Sequence, residues 1–251
     1  MPPMYILEVI AFTISSCITV QKAGAHRIEL CDNPGEGGTT PSYGMIRQAR
    51  GKTNLQLYPI IRPRGGDFLY SDDEFSIMLK DIFMCKEAGC DGVVAGILKP
   101  DGTVDGIRTA KLVNAAYPMG FTFHRAFDRT RDAAEALEAV ISCGCERILT
   151  SGLRPGVNEG VDNLKLLVEN AADRIIIMPG SGLRSVNMET IVRKTGAKEF
   201  HSSARKNLQS GMIYQNPGMA EQLLTTDLDE EEVKAMAGIL HKLQGEFETE
   251  D

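Results

Sequence analysis

The sequence predicts an α/β protein that is built from eight repeated βα units in one domain. Three observations lead to this prediction. Eight short runs rich in β-branched and aliphatic residues recur along the 251-residue chain. The centres of successive runs lie 22 to 34 residues apart, which is the length that one strand, one loop and one helix require. The segments between the runs carry helix start and stop signals. Eight such units predict a single-domain TIM (β/α)8 barrel.

The eight predicted strands all run in the same direction. In chain order they begin near Tyr5, Arg27, Leu55, Asp91, Phe121, Arg147, Arg174 and Glu199. Helices are predicted to end shortly before a strand at Gly24, Gly89, Gly144 and Gly196, because glycine commonly follows the last helical turn. When a helix precedes each strand, neighbouring strands run parallel to each other, and the crossover connections between them are right-handed. A doubly wound open sheet is the alternative to a closed barrel.

The helix starts and the domain bounds follow from local signals. These signals are a capping box at residues 71–74, a Thr40–Pro41 pair at an expected first helical turn, and Asp227 ahead of an amphipathic stretch from Leu228 to about Gly245. No linker or low-complexity run divides the chain. We therefore expect one barrel domain over residues 4–245 and an acidic tail over residues 246–251.

Composition and charge exclude several classes of protein. The sequence has no run of 18 apolar residues, which excludes a membrane-spanning helix. Residues 1–8 lack the basic region of a signal peptide, so we expect a cytoplasmic protein. The 27 Lys and Arg residues against 34 Asp and Glu residues give a net charge of −7, which argues against a broad nucleic-acid surface. Six Cys residues in a chain of this length do not form a secreted disulfide framework.

Polar side chains gather at the carboxyl ends of the predicted strands, where TIM barrels carry their sites. The alternation of strand residues turns Glu8, Glu29, Arg62, His124 and His201 into the barrel mouth. Arg125 and Asp128 follow in the loop after the fifth strand. A buried polar network that only fixes the barrel register is the alternative. Five ionisable groups at one mouth would be costly to bury for that purpose alone, so we interpret all seven residues as candidate catalytic residues.

The loops after the seventh and eighth strands form a second candidate site. Many barrels bind phosphate there through backbone N–H groups and a helix N-terminus. The candidate anion-binding residues are Gly180, Ser181, Gly182, Ser202, Ser203 and Arg205, with Ser151 beside them after the sixth strand. An ordinary tight turn is the alternative for the Gly-Ser-Gly segment. The glycine-rich residues 32–40, after the second strand, lack the lysine of a P-loop and are predicted to form a lid or rim.

Cys31 is the one cysteine predicted to point into the mouth. The other five, at positions 17, 85, 90, 143 and 145, fall in helices or before strands. A thiolate at Cys31 could be a nucleophile or a ligand for a soft metal such as Cu(I), and a buried small hydrophobic residue is the alternative.

Two chemistries are excluded by the strand ends. A Schiff-base aldolase requires a lysine at a strand's carboxyl end, and Lys99 lies out in a loop. A dinucleotide fold requires a glycine fingerprint after the first strand, where Ala11-Phe-Thr-Ile stands. We therefore expect no nucleotide cofactor.

Several strand-end motifs resemble those of the CutC family of copper homeostasis proteins. They are Ile28-Glu-Leu-Cys31, Glu36-Gly-Gly-Thr-Thr-Pro-Ser42, Arg62-Pro-Arg-Gly-Gly-Asp-Phe-Leu-Tyr70, Phe123-His-Arg-Ala-Phe-Asp128, Leu149-Thr-Ser-Gly152, Met178-Pro-Gly-Ser-Gly182 and Phe200-His-Ser-Ser-Ala-Arg205. The resemblance runs from about Leu7 to Arg205. It implies a cytoplasmic TIM-barrel protein, a homo-oligomer such as a dimer or tetramer, that is associated with copper tolerance or trafficking and proposed to bind Cu(I).

The sequence departs from this family in one respect. In some members the proposed copper site uses two thiols, one on the first strand and one at the end of the second. This chain keeps the second as Cys31 and has Ile10 in place of the first. A single thiolate binds Cu(I) poorly unless a His or Met such as Met178 completes the site.

Two functional hypotheses follow. The first is a copper-binding or copper-trafficking protein with Cys31 as the soft ligand and His124 or His201 in support. The second is an enzyme that acts on a small phosphorylated or anionic substrate by general acid–base chemistry. A variant of the enzyme holds a divalent metal through Glu8, Glu29 and a histidine. Either hypothesis implies a small-molecule or metal ligand, with no nucleic-acid or membrane partner.

Overall fold

The computed structural model describes residues 5–220 and 223–248. In chain order its elements are β1 (Ile6–Ala11), α1 (Ile14–Lys22), β2 (Arg27–Leu30), α2 (Tyr43–Lys52), β3 (Gln56–Pro59), α3 (Asp72–Glu87), β4 (Gly92–Ala95), α4 (Gly106–Ala116), β5 (Gly120–Phe123), α5 (Ala133–Ser142), β6 (Arg147–Thr150), α6 (Val161–Ala171), β7 (Ile176–Pro179), α7 (Ser185–Thr195), β8 (Glu199–Ser202), β9 (Arg205–Gln209), β10 (Leu224–Leu228) and α8 (Glu230–Glu248). None of the described helices is long and apolar enough to cross a membrane.

The first eight strands are parallel and form two four-stranded sheets. One has the order β3-β2-β1-β8 and the other the order β4-β5-β6-β7. A parallel bridge joins Ile60 to Val94 between β3 and β4, and Ile61 N donates to Val94 O at 2.7 Å. Beyond β7, a Cβ at Gly180 would lie 3.2 Å from the Cβ of His201 on β8, so the absence of a side chain lets these two strands approach closely. The predicted TIM-barrel architecture is confirmed.

The helix boundaries confirm some predicted signals and correct others. The capping box of Ser71 and Glu74 is present at the start of α3. Gly24, Gly89, Gly144 and Gly196 all have positive φ, as residues after a helix do. The predicted start of α2 at Pro41 is wrong, because Thr40 exchanges hydrogen bonds with Arg62. Ser42 caps the helix instead, and its side chain accepts from Met45 N.

A second correction concerns the chain after β8. The predicted amphipathic helix does not start at Leu228, because Asp227 and Leu228 belong to β10, which pairs antiparallel with β9. The helix α8 starts at Glu230 and continues through Glu248. Residues 246–248 of the predicted acidic tail therefore lie in this helix, and residues 249–251 lie outside the described part of the chain.

The apolar core lies between the strands and the helices. Outward-facing strand residues such as Leu7, Val9 and Phe200 are fully buried there. Inside the barrel, by contrast, the layer below the mouth is ionic. Glu199 Oε2 lies 2.7 Å from Arg27 Nη1 and 2.9 Å from Arg147 Nε. We call Arg27, Arg147 and Glu199 the ionic floor. Because each buried guanidinium has a carboxylate partner, the floor supports the mouth without unpaired charge.

Candidate active site

Three ionisable side chains from adjacent strands meet at the barrel mouth. The register of β1 and β8 places Glu8 opposite His201, and β2 carries Glu29 on the other side of β1. His201 Nδ1 lies 2.8 Å from Glu8 Oε1, and His201 Nε2 lies 3.6 Å from Glu29 Oε2. All three residues are buried. We call Glu8, Glu29 and His201 the mouth triad.

The two carboxyl groups of the triad differ in their proton affinity. Burial raises the pKa of Glu8, but the hydrogen bond from His201 and the charge of Arg27 outweigh burial and lower it to about 2. Burial raises the pKa of Glu29 to about 7, and His201 only partly opposes this effect. Burial lowers the pKa of His201, but the Glu8 hydrogen bond and the Glu29 charge together raise it above 6.5. At neutral pH Glu8 is ionised and Glu29 is close to the midpoint of its titration.

Arg62 fastens the loop of residues 32–40 to the mouth. Its Nη1 donates to Glu36 O at 2.6 Å and to Gly38 O at 2.9 Å, and its Nη2 donates to Gly66 O at 2.9 Å. The guanidinium lies 5.1 Å from the centre of the Phe68 ring. Its Nε is buried and has no hydrogen-bond partner among the described residues. The predicted lid therefore rests on an arginine whose guanidinium also interacts with the buried Tyr70 hydroxyl.

His124 is a neutral side chain in this site. Its Nδ1 accepts from Ala126 N at 3.2 Å, so the proton of the neutral ring is on Nε2. Burial, and then the positive charge of Arg62, lower the pKa of His124 to about 3. The Nε2 atom is buried and has no partner in the described part of the chain. The ring packs on Phe68, with centroids 4.7 Å apart.

Arg125 and Asp128 form a fixed pair beside the triad. Asp128 accepts from Arg125 Nε at 2.8 Å, from Thr150 Oγ1 at 2.5 Å and from Ser151 N at 3.0 Å. Arg125 Nη2 also donates to Ser151 Oγ at 3.0 Å. The Arg125 side chain is 41% exposed, and its charge acts on the pKa of His201. Asp128 thus positions an accessible cation near the triad.

The predicted anion-binding residues lie beside β7 and β8 and are partly engaged with the protein itself. Ser181 Oγ donates to Pro155 O at 3.1 Å, and the buried Ser202 Oγ donates to Leu183 O at 2.7 Å. No atom lies within 4 Å of the Cβ position of Gly182, so the space beside this residue is open. Ser203 is half-buried, and the exposed Arg205 begins β9, with Nη1 3.5 Å from Pro34 O. Anion binding here remains a prediction.

Cys31 lies in apolar surroundings. It packs in a cluster with Ile10, Tyr58, Ile60 and Val94 and is fully buried. Burial, and then the charge of Glu29, raise the pKa of its thiol well above 9. All six cysteines are free. In the described residues, the one group of three or more His, Cys, Asp or Glu residues whose ligand atoms converge is the mouth triad, with its atoms within 4.8 Å of one another.

The residues of the ionic floor and Phe68 were not among the predicted site residues. Arg27, Arg147 and Glu199 stand at the amino ends of their strands, where a charged residue is usually structural. The same alternation that turned Glu8 and His201 inward also applies to them. Strand periodicity could therefore have identified the floor as the source of the charges that act on Glu8.

An eight-stranded barrel with a buried carboxyl–imidazole group is a TIM-barrel protein, and this candidate site lies at the strand ends where such barrels usually carry theirs. Within this class the chain belongs to the CutC family, whose family model matches residues 5–206. A CutC family protein of Chromobacterium violaceum is 50% identical over 214 residues, covering 85% of this chain and 87% of its own. One of Bacteroides fragilis is 48% identical over 217 residues, covering 86% of each.

Solved structures agree with this assignment. A CutC protein of Streptococcus agalactiae, described as a proposed copper homeostasis protein, superposes with a TM-score of 0.76 and 35% identity, over 80% of this chain and 99% of its own. An aldolase named QR15 superposes with a TM-score of 0.62 at 14% identity, over 81% of this chain and 92% of its own. At that identity the similarity shows the fold alone.

Proposed function

We propose that this CutC family protein is an enzyme that transfers a proton to or from a small anionic substrate at the barrel mouth. The observation that supports the proposal is a buried carboxyl group, Glu29, whose pKa is about 7 and which lies 3.6 Å from an imidazole held by a second carboxylate. A group with a pKa near the working pH is the most effective general acid or base. A structural role would not require two carboxyl groups with opposite pKa shifts on neighbouring strands.

Each member of the triad has a separate role in this proposal. Glu29 accepts or donates the proton. His201 stabilises the Glu29 carboxylate after the proton has left, because the imidazole ring lies between the two carboxyl groups. Glu8 stays ionised and fixes the ring through the 2.8 Å contact to Nδ1. Arg125, held by Asp128, supplies a positive charge for an anionic group of the substrate.

The donor chemistry of the triad fits a divalent cation better than Cu(I). Two carboxylates and one imidazole suit ions such as Mn²⁺ or Zn²⁺, whereas Cu(I) prefers thiolate and thioether ligands. In a metal-dependent form of the enzyme, Glu8, Glu29 and His201 would hold such a cation, and Glu29 would then be a ligand instead of the proton acceptor. When bound, it would polarise an oxygen atom of the substrate.

Copper handling is the second candidate function, and the described role of the Streptococcus agalactiae relative favours it. In this chain Cys31 is the single thiol at the mouth, and Ile10 lies in the same apolar cluster. Met178 Sδ lies 4.0 Å from Arg27 Nη1 of the ionic floor. An anaerobic Cu(I) titration of reduced wild type, Cys31→Ser and the control Cys85→Ser distinguishes the candidates. Tight binding that only Cys31→Ser abolishes would support the copper function, and equal binding by all three proteins would end it.

The enzyme proposal is tested by exchange in D₂O. Wild type, Glu29→Gln and the control Glu87→Gln, which is exposed on α3, are incubated with phosphorylated sugars and with hydroxy and oxo acids. Proton NMR then records turnover or deuterium incorporation. We expect activity in wild type and Glu87→Gln and a loss of at least about 100-fold in Glu29→Gln. Equal rates in wild type and Glu29→Gln, or no exchange with any compound, would contradict the proposal.

A further inference from the structure

Outside the triad, the mouth carries two hydrogen-bond donors that the proposed proton transfer does not use. The triad lies on β8, β1 and β2, whereas His124 directly follows β5. In a barrel of eight strands, β5 is diametrically opposite β1, and the interior is only wide enough for side chains or one small ligand. Arg62 follows β3, which pairs with β2 beside the triad, and shares the Phe68 ring with His124. A small molecule at the mouth would therefore lie between the triad and His124, with Arg62 at its side.

Both donors are buried and lack a hydrogen bond of good geometry. Arg62 Nε and His124 Nε2 have no such partner among the described residues, and the same is true of the buried Tyr70 hydroxyl, which interacts with the Arg62 guanidinium. Arg62 is always a donor, and its three other contacts to backbone carbonyls fix the guanidinium plane. His124 donates through Nε2 because its Nδ1 accepts from Ala126 N. Buried donors normally have partners, so two of them on side chains that contact the same Phe68 ring indicate a ligand oxygen.

The acceptor that fits these donors is an oxygen that gains negative charge during a reaction. A neutral imidazole that donates from a fixed position can stabilise an enolate without first losing a proton. Arg62 adds a positive charge near the His124 imidazole. A ligand that carries a permanent negative charge would instead favour the protonated form of His124. The hydrogen bond from Ala126 N to Nδ1 opposes protonation of that atom.

We propose that Arg62 Nε–H and His124 Nε2–H bind the carbonyl oxygen of the substrate while Glu29 removes a proton from the adjacent carbon. This inference rests on the proposed function and names its substrate class, a small carbonyl compound with a hydrogen on the carbon next to the carbonyl. The C–H bond breaks and its proton goes to the Glu29 carboxylate. The electron pair forms a carbon–carbon double bond, and the carbonyl π electrons move to the oxygen. In an α-hydroxy carbonyl compound, the hydroxyl proton then moves to the enolate oxygen and Glu29 returns its proton to the former carbonyl carbon. A new carbonyl group forms where the hydroxyl stood, which completes an isomerisation.

Entry of the substrate requires movement of the loop of residues 32–40. Arg62 holds this loop through the carbonyl oxygens of Glu36 and Gly38, and a Cβ at Gly38 would lie 3.2 Å from Cys31 Sγ. The loop therefore covers Arg62, whose Nε–H is one of the two proposed donors. Closure excludes water from the enolate, which strengthens its hydrogen bonds.

The probe for this inference is glycolohydroxamate, a mimic of an enediolate, and the measurement is isothermal titration calorimetry. His124→Asn keeps an acceptor for Ala126 N but does not reach the Nε2 position, whereas the side-chain amide of His124→Gln does. We expect saturable binding by wild type, at least about tenfold weaker binding by His124→Asn, and recovery in His124→Gln. Thermal unfolding of each variant verifies that it folds.

The outcomes separate the inference from the proposed function. If Glu29→Gln binds glycolohydroxamate as tightly as wild type but no longer exchanges the protons of carbonyl compounds, both the inference and the proposed function are supported. Binding that depends on His124, with no exchange of any compound by wild type, would support the inference and contradict the proposed function. No binding by wild type, or equal binding by His124→Asn, would overturn the inference.

Discussion

Replacement of Glu29 by the nearly isosteric glutamine should stabilise the protein at alkaline pH. In the folded protein the Glu29 carboxyl has a pKa of about 7, against its ordinary value of 4.5. As the pH rises from 4.5 to 7, the unfolded chain releases this proton before the folded protein does. Stability is therefore lost over this interval and stays lower above it. Glutamine has no proton to lose, so Glu29→Gln escapes this loss.

The size of the effect follows from the interval between the two pKa values. Each pH unit corresponds to about 1.4 kcal/mol, so the ionised Glu29 lowers the free energy of unfolding by about 3 kcal/mol at pH 8. At pH 5 the effect is less than about 1 kcal/mol. In a chain of this size, about 3 kcal/mol corresponds to an increase in melting temperature of about 6 to 12 °C.

The assay is thermal unfolding of wild type and Glu29→Gln from pH 5 to pH 9, with a chelator present. The melting temperature of Glu29→Gln should exceed that of wild type by an amount that grows between pH 5 and pH 7 and is then constant. The exposed Glu87→Gln should match wild type, because surface substitutions change stability little. A variant that is less stable than wild type at pH 8, or a difference that does not vary with pH, would show that burial does not raise the pKa of Glu29.

Three further predictions concern the floor, the loop and the cation. Glu199→Gln should destabilise the protein by about 3 to 5 kcal/mol in urea unfolding, because Arg27 and Arg147 lose their shared carboxylate; an equal urea midpoint would contradict the ion pairing. Arg62→Lys should speed cleavage at Glu36 by a glutamate-specific protease, since the loop loses its guanidinium contacts, and an unchanged rate would contradict this. Mn²⁺ or Zn²⁺ should raise the melting temperature of wild type and not of Glu29→Gln; equal shifts would exclude the triad as the cation site.

The barrel could be predicted because its signals repeat. Eight runs at regular intervals, with glycines at helix ends, leave few other arrangements of the chain. The β9–β10 hairpin was missed because β9 is the polar segment Arg-Lys-Asn-Leu-Gln, which is exposed throughout and has no apolar alternation. The Asn216-Pro217-Gly218 turn between its strands was the one available signal.

The sequence predicted which residues gather at the candidate site, but it did not predict their protonation states. Strand alternation placed Glu8, Glu29 and His201 inside the barrel, and the structure brings them together. The opposite pKa shifts of Glu8 and Glu29 depend on which carboxylate lies near Arg27, and that depends on strand register. The neutral state of His124 likewise depends on a backbone N–H two residues later. Such contacts are set by three-dimensional packing and leave no pattern in the sequence.

The proposed proton transfer depends on Glu29 being a buried carboxyl group that titrates near neutral pH. Difference infrared spectroscopy measures this directly, because the C=O stretch of a protonated carboxyl group is separate from that of a carboxylate. Spectra of wild type minus Glu29→Gln should contain this band at pH 6 and lose it with a midpoint near pH 7. A wild-type band that is already absent at pH 6 would show that the pKa of Glu29 is not raised to this range.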